Sequence, residues 1–274
     1  MTSEDGDHGP DQEGGGAFPP APEPPRMAVP ASIRAAWGLP ARPARGPKPG
    51  LSLERIVQAA IAVAGSEGLD AVSMARVAAE LGSSAMSLYR YVASKDELLA
   101  LMVDVAMGAM PMPDDGESWR EGLTRWSLTA LQAYLKAPWV VRVPIPAPPI
   151  TPNQIRALEA GLTCLSGTGL THQEKLSTIL LLSGLVRYQG TLAADFGDAF
   201  RAAGGQDPSA GYGQALAELA DPAQFPQVFA ALSAGALDDE NTDFFTNELR
   251  FSLDRILDGL EALIARRRAA ATDR

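Results

Sequence analysis

Apolar residues recur at intervals of three and four along most of the chain, the spacing that lines one face of an α-helix. The first such stripe is preceded by Ser52, a helix-capping residue, and is ended by Gly68. Its members are Leu53, Ile56, Val57, Ala60 and Ala64. No stretch alternates with a period of two for the length of a strand, so the sequence predicts an all-α fold.

The segment 73–99 contains two helix starts separated by a short turn. Ser73 can cap a helix that ends at Gly82, and Ser84 can cap the next helix, so this pattern predicts a helix-turn-helix. In the second helix Leu88 and Val92 lie four residues apart and are expected to face the core. The residues left facing outward are Ala85, Met86, Ser87, Tyr89, Arg90 and Tyr91.

A fourth helix is predicted to begin at Ser94, where Glu97 completes a capping box, and to continue to about Ala109. The segment 49–108 is therefore interpreted as one small helical domain. Its residues 51–107 carry four cations against seven carboxylates, which is a poor balance for a DNA-binding surface.

Residues from about Leu51 to Asp104 resemble the DNA-binding domain of the tetracycline-repressor (TetR/AcrR) family of bacterial regulators. The motifs that carry the resemblance are LERIVQAAIAVAGSEGLDAVSMARVAAELG and LYRYV followed by SKDEL. The resemblance implies that the second motif helix enters the major groove. It implies base-edge contacts from Ala85, Met86, Ser87 and Arg90, and phosphate contacts from Ser73, Tyr89, Tyr91 and Lys95.

The chemistry of these side chains agrees with the implied roles. A tyrosine hydroxyl can bind a phosphate and fix the register without reading sequence. Lys95 lies at a helix start, where a cation opposes the helix dipole unless a phosphate binds the lysine and the free backbone amides together. Taken singly, each residue could be an ordinary surface residue of a small bundle, but their joint spacing favours DNA binding.

Residues 1–48 are predicted to be a disordered acidic segment followed by a basic arm. The first 25 residues have six carboxylates and no lysine or arginine, whereas residues 26–50 carry five cations and no acid. Arg42, Arg45 and Lys48 resemble the cations of minor-groove arms, although a plain solubilising linker is the alternative. The isolated Trp37 is expected to dock on the folded body.

Residues 109–274 are predicted to form a helical regulatory and dimerisation domain. Two strongly apolar segments, 176–186 and 245–264, resemble the dimerisation helices of the family; the alternative is an intramolecular core. The expected interface residues are Leu176, Leu180, Gly184, Leu249, Leu253, Ile256, Leu257, Leu260 and Ile264.

The resemblance also implies that this second domain holds a small-molecule effector. The candidate lining residues are Met102, Trp126, Tyr134, Trp139, Arg142, Tyr188, Gln189 and Phe196. Aromatic residues in a helical bundle are more often core than pocket, which leaves the core interpretation open for each of them.

The resemblance predicts a ligand-responsive repressor that binds a pseudo-palindromic double-stranded operator as a homodimer and is released by a small molecule. An enzyme is excluded because the histidines (His8 and His172) and Cys164 form no catalytic set or metal-ligand spacing, and no cofactor or metal is expected. The remaining alternative is a helical binding protein without specific DNA binding. With one cysteine, no signal peptide and no membrane span, a cytoplasmic protein is expected.

Overall fold

The structure, a computed structural model, describes residues 27–39, 51–207, 210–236 and 244–272. These residues form α-helices and two short 3-10 helices and contain no strand, so the all-α prediction is confirmed. The helices are α1 (Ala31–Ala36), α2 (Leu53–Glu67), α3 (Met74–Glu80), α4 (Ala85–Leu88), α5 (Lys95–Met107), α6 (Trp119–Lys136), α7 (Pro152–Cys164), α8 (His172–Ala202), α9 (Tyr212–Leu219), α10 (Pro226–Ser233) and α11 (Phe244–Thr272).

Helices α2 to α5 form the unit that is predicted to read DNA, called the DNA-reading unit below, and these helices start at the predicted caps. The hydroxyl of Ser52 accepts a hydrogen bond from the Arg55 amide at 3.2 Å, and Ser94 accepts one from the Glu97 amide at 3.1 Å. The turn between α3 and α4 passes through Gly82 with φ of 60°, a left-handed conformation that glycine adopts without steric cost. Completely buried side chains from α2, α4 and α5 meet in one core: Ile56, Leu88, Leu98 and Met102.

Helices α6, α7, α8 and α11 form the regulatory unit. Complete capping boxes start α6 at Ser118 and α8 at Thr171. The core between these helices contains Leu123, Leu182, Leu253 and Leu257, all at most 1% exposed. Helices α9 and α10 have no buried residue. None of the described helices is long and apolar enough to cross a membrane.

Five of the expected interface residues on α11 are instead part of the protomer's own core. Leu249, Leu253, Leu257, Leu260 and Ile264 are all at most 7% exposed. They follow the side of α11 that packs on α6 and α8. The expectation that they form a seam with a second subunit is therefore wrong, because one subunit already covers them.

The segment predicted to be a basic arm contains a helix. Residues 31–36 form α1, whose Ile33 is 2% exposed and joins the core of the DNA-reading unit. Trp37 follows directly, and its indole Nε1 donates a hydrogen bond to the Ile150 carbonyl at 2.8 Å, which confirms that it docks. The acidic residues 1–25 and the cations Arg42, Arg45 and Lys48 lie outside the described residues.

Candidate nucleic-acid interface

The face expected to read DNA is formed by α4 and the turn after it. Leu88 and Val92 are completely buried and hold this segment on the core. Because they fix its rotation, Met86 and Tyr89 point outward with exposed fractions of 76% and 47%, and Arg90 is exposed beside them. The structure thus brings three of the predicted contact residues onto one surface.

The two smaller residues predicted to contact bases are less exposed. Ala85 is half-buried and packs against the core of the DNA-reading unit. The hydroxyl of the half-buried Ser87 lies 2.9 Å from that of Ser84, the residue that precedes α4. A hydroxyl keeps both donor and acceptor capacity, so Ser87 retains an atom for a base or phosphate.

Tyr91 differs from its prediction. Its side chain is half-buried, and its hydroxyl donates a hydrogen bond to the Leu51 carbonyl at 2.9 Å. The single hydroxyl proton is thereby used to fasten the residues just before α2 to the end of the motif. Tyr91 is therefore a structural residue of the DNA-reading unit, and the expected donation to a phosphate is wrong.

Two predicted phosphate ligands lie at helix starts. Ser73 is exposed and accepts a hydrogen bond from the Arg76 amide at 3.1 Å, which leaves its hydroxyl proton available. Lys95 is the first residue of α5 and is exposed. An anion placed there would contact the ammonium group and the positive end of the helix dipole together.

The cations of the DNA-reading unit differ in their availability. Arg76 pairs with Glu67 and Glu80, and its guanidinium lowers the pKa of Glu67 below the usual range. Arg90 and Lys95 form no ion pair within the described part of the chain. The sequence analysis did not predict that Arg76 is neutralised by two carboxylates. The four-residue spacing of Arg76 and Glu80 on one helix face is a signal for the second of these ion pairs.

The residues expected to line an effector pocket lie in different environments among the described residues. Met102, Trp126 and Trp139 are core residues, at most 9% exposed, and the Trp126 indole donates to the Ala157 carbonyl at 2.8 Å. Their large side chains fill the spaces between helices. This burial agrees with the core alternative, and the lining of an effector pocket by these three residues stays a prediction.

The other expected pocket residues are dispersed. Arg142 pairs with Asp195 and Asp198, which raises the pKa of its guanidinium. Tyr134 packs against Gly190, and Tyr188 is 62% exposed on α8. Phe196 lines a cavity of about 300 Å³ that also includes Phe200 and Phe245.

Unpartnered polar atoms and an open groove mark α6 and α8. Gln189 is 4% exposed, and its Oε1 has no hydrogen-bond partner in the described structure; the same holds for the hydroxyl of the completely buried Ser127. A groove of about 560 Å³ follows one face of α6. Its lining residues are Arg120, Glu121, Thr124, Arg125, Leu128, Thr129 and Gln132. Buried polar atoms without partners are uncommon, so Ser127 and Gln189 need an explanation.

A separate apolar face runs along the outside of α8. Leu176 and Leu180 are 43% and 75% exposed, Gly184 is exposed, and Leu181 lies beside them with 55% exposed. A Cβ atom added at Gly184 would meet no atom within 4 Å. Of the α11 residues expected at the interface, Ile256 alone is half-exposed. We call the α8 residues 176, 180, 181 and 184 the α8 face.

Two family models match the chain in succession. Residues 56–102 match the model described as "Bacterial regulatory proteins, tetR family". Residues 112–264 match the model described as "Tetracyclin repressor-like, C-terminal domain". The first match covers the helix-turn-helix and most of α5, and the second covers the regulatory unit.

Individual proteins that are similar to this chain in sequence or structure are also regulators of this kind. The chain is 39% identical, over 85% of each sequence, to the "HTH-type transcriptional repressor DrrR1" of Streptomyces coeruleorubidus. It is 25% identical to apo ActR from Streptomyces coelicolor, with a TM-score of 0.67 over 80% of this chain and 99% of that one. The structure of ActR in complex with actinorhodin gives the same identity and TM-score over 77% of this chain and 96% of that one.

Proposed function

Because the chain belongs to the tetracycline-repressor family of bacterial regulators, we propose that it is a ligand-responsive transcriptional repressor that binds a pseudo-palindromic operator as a homodimer. The observation that carries the proposal is the shared exposure of Met86, Tyr89 and Arg90 on α4 and the turn after it, together with an exposed Lys95 that forms no ion pair within the described residues. In this arrangement Arg90 reads a base edge in the major groove, and Tyr89, Lys95 and Ser73 hold the phosphates.

The experiment that tests DNA recognition uses sheared genomic DNA. The purified protein is mixed with the fragments, and the fragments that it retains are sequenced. The proposal predicts a shared site with two-fold symmetry, whose half-sites are separated by about 34–36 Å, one turn of B-DNA, or a multiple of it. Retention of fragments in proportion to their length alone would contradict specific binding and favour the rival, a helical binding protein without an operator.

We place the dimer contact on the α8 face, continued by Ile256 of α11. A lone helix-turn-helix covers few base pairs, and two-fold symmetry doubles the sequence that is read. The α8 face supplies the apolar surface, and the open position at Gly184 lets a second helix approach closely. Interfaces of obligate dimers bury on the order of 2,000 Å² or more.

The dimer contact is tested with Leu180→Glu, because Leu180 is 75% exposed and the protomer does not need it for its core. Light scattering should then show a monomer, and this monomer should keep the native helix content. The matched control is Leu219→Glu on α9, where the replaced leucine is also exposed, at 86%, and the dimer should persist. If the Leu180→Glu protein is still dimeric, the dimer interface lies elsewhere than on the α8 face.

We propose that the effector enters between α6 and α8 and donates a hydrogen bond to Gln189. The Oε1 atom of Gln189 is a buried acceptor that has no partner among the described residues, and a hydroxyl or N–H group of an effector would satisfy it. The effector is therefore a molecule with a largely apolar body and a hydrogen-bond donor. Release of the operator follows if the effector binds better to a conformation with a different spacing of the two α4 helices.

Gln189→Leu separates the effector role from a role in folding. Removing an unsatisfied polar atom should raise the unfolding midpoint. The same change should weaken effector binding, and actinorhodin is a suitable first probe because a solved relative was crystallised with it. If the wild type binds the probe and Gln189→Leu binds it equally well, the effector contacts other residues.

A further inference from the structure

Helix α1 fastens onto the DNA-reading unit before α2 begins. Ser32 and Ile33 are both 2% exposed. The Ser32 hydroxyl donates a hydrogen bond to Oε2 of Glu97 on α5 at 2.6 Å, and the same Oε2 accepts one from the Ala93 amide at 3.1 Å. Ile33 packs in the core that α5 also lines. A displacement of α5 must therefore carry α1 with it.

The next residue after α1 reaches the regulatory unit. Trp37 donates its indole N–H to the Ile150 carbonyl at 2.8 Å, two residues before α7 begins. Trp37 is 44% exposed and does not belong to the core of the DNA-reading unit. The hydrogen bond is thus the specific contact between α1 and the segment that leads into α7.

The start of α7 is also held directly by α5. Asp104 is 4% exposed and accepts hydrogen bonds from the backbone amides of Asn153 and Gln154 at 2.9 and 3.0 Å. Thr151, in the capping position of α7, makes no capping bond with its own side chain. Asp104 therefore caps α7 from another helix. Residues 150–154 are held by α5 on one side and by α1 on the other.

We propose that α1 is an intramolecular clamp that couples α5 to the start of α7 through the hydrogen bond from Trp37 to Ile150. The clamp is a regulatory device and rests on the proposed function, since it transmits operator binding to the regulatory unit and effector binding back. Operator binding fixes the orientation of α5; α1 follows because Ser32 and Ile33 attach it, and Trp37 passes the displacement to residues 150–154. Such coupling is reciprocal between the two ligands.

The test measures hydrogen exchange of the amides of residues 150–158 with and without the operator duplex identified from the retained fragments. In the wild type, operator binding should slow exchange in this segment. Trp37→Phe keeps an aromatic ring but removes the donor, and should reduce the operator-induced slowing about fivefold, the effect of one hydrogen bond. Ala35→Gln, an exposed change on α1, is the control and should behave as the wild type.

A second variant guards against a purely local effect at Trp37. Ile33→Ala should undock α1, which the exchange of residues 31–36 reports directly, and should lower the operator-induced slowing as well. Undiminished slowing in both Trp37→Phe and Ile33→Ala would overturn the clamp. Failure of the proposed function is distinct, since the wild type would then select no duplex.

Discussion

Two tyrosines, separated by a single residue, have opposite roles at the end of the helix-turn-helix. The hydroxyl of Tyr91 is bonded to the Leu51 carbonyl, whereas Tyr89 is 47% exposed on the proposed DNA surface. Tyr91→Phe should lower the free energy of unfolding by about 1 kcal/mol and leave operator affinity nearly unchanged. Tyr89→Phe should leave the free energy of unfolding nearly unchanged and weaken operator binding. Denaturant titrations and DNA titrations of both variants check this; a loss of affinity confined to Tyr91→Phe would reverse the assignment.

Arg90 and Lys95, which form no ion pair within the described residues, make a second matched pair. Lys95→Ala should weaken binding to every duplex alike, because a phosphate contact carries no sequence information. Arg90→Ala should also relax the preference at one base position and cost about 1–3 kcal/mol on the operator. Titrations of both variants with operator and random duplexes measure these two effects. Equal losses on the two duplexes for Arg90→Ala would reassign it to phosphate binding.

At the scale of single residues, the sequence predicted what helical periodicity controls and missed what distant contacts control. The burial of Leu88 and Val92, and with it the exposure of Met86 and Arg90, follows from positions four apart on one helix. The bond from Tyr91 joins residues 40 positions apart, and the pairing of Arg76 with Glu67 spans nine. No local pattern contains either contact.

Helices α6 and α8 pack closely against each other at a glycine. A Cβ atom placed on Gly190 would lie 2.8 Å from Cβ and 2.9 Å from Cγ of Tyr134, and the Tyr134 Cβ cannot move without the α6 backbone. Gly190→Ala should therefore destabilise the protein by about 1–3 kcal/mol. The control is Gly65→Ala in α2, which meets nothing within 4 Å and should stabilise by up to about 1 kcal/mol. Denaturant unfolding measures both; an unaffected Gly190→Ala would mean that α6 and α8 are loosely packed.

The ends of α8 and α11 are joined by a carboxylate with a low pKa. Glu174 pairs with Arg267 and accepts the Thr171 amide, which lowers its pKa to about 2. A depressed pKa contributes stability above the unfolded value of about 4.5, and this contribution is lost as the pH falls toward 2. The stability difference between wild type and Glu174→Gln should thus be larger at pH 6 than at pH 3, as urea titrations will show. A stability difference that does not depend on pH would contradict a stabilising ion pair between Glu174 and Arg267.

At the scale of elements, the pattern of apolar residues predicted where the helices lie better than it predicted which helices pack together. A repeat of three and four on α11 fits a subunit core and a dimer seam equally well, and Leu253 and Leu257 proved to lie in the core because α6 and α8 cover that side. Helix α1 is six residues long and amid proline and glycine, so its stability comes from docking Ile33. Composition alone predicted a basic arm there and gave no sign of a helix.

For the whole molecule, regulated DNA binding requires the exposed surfaces at α4, at the α8 face and around α1 to act together. The DNA-reading unit, residues 51–107, carries more carboxylates than cations, so recognition must come from placement rather than total charge. Arg90 and Lys95 are the placed cations on the described surface, and Arg42, Arg45 and Lys48 are proposed to add minor-groove contacts. The effector site is the least predictable part, because Trp126 and Trp139 fill core positions that sequence cannot distinguish from a pocket lining.

The most direct measurement is the affinity of the full chain for its retained operator duplex and for a scrambled duplex of the same composition, over a series of salt concentrations. For a repressor that reads DNA, we expect the affinities for both duplexes to fall linearly with salt on a log–log plot, with the operator bound tighter by about 10³-fold or more. Equal affinities for the two duplexes at every salt concentration would contradict the account and leave a helical protein that keeps the fold without reading DNA.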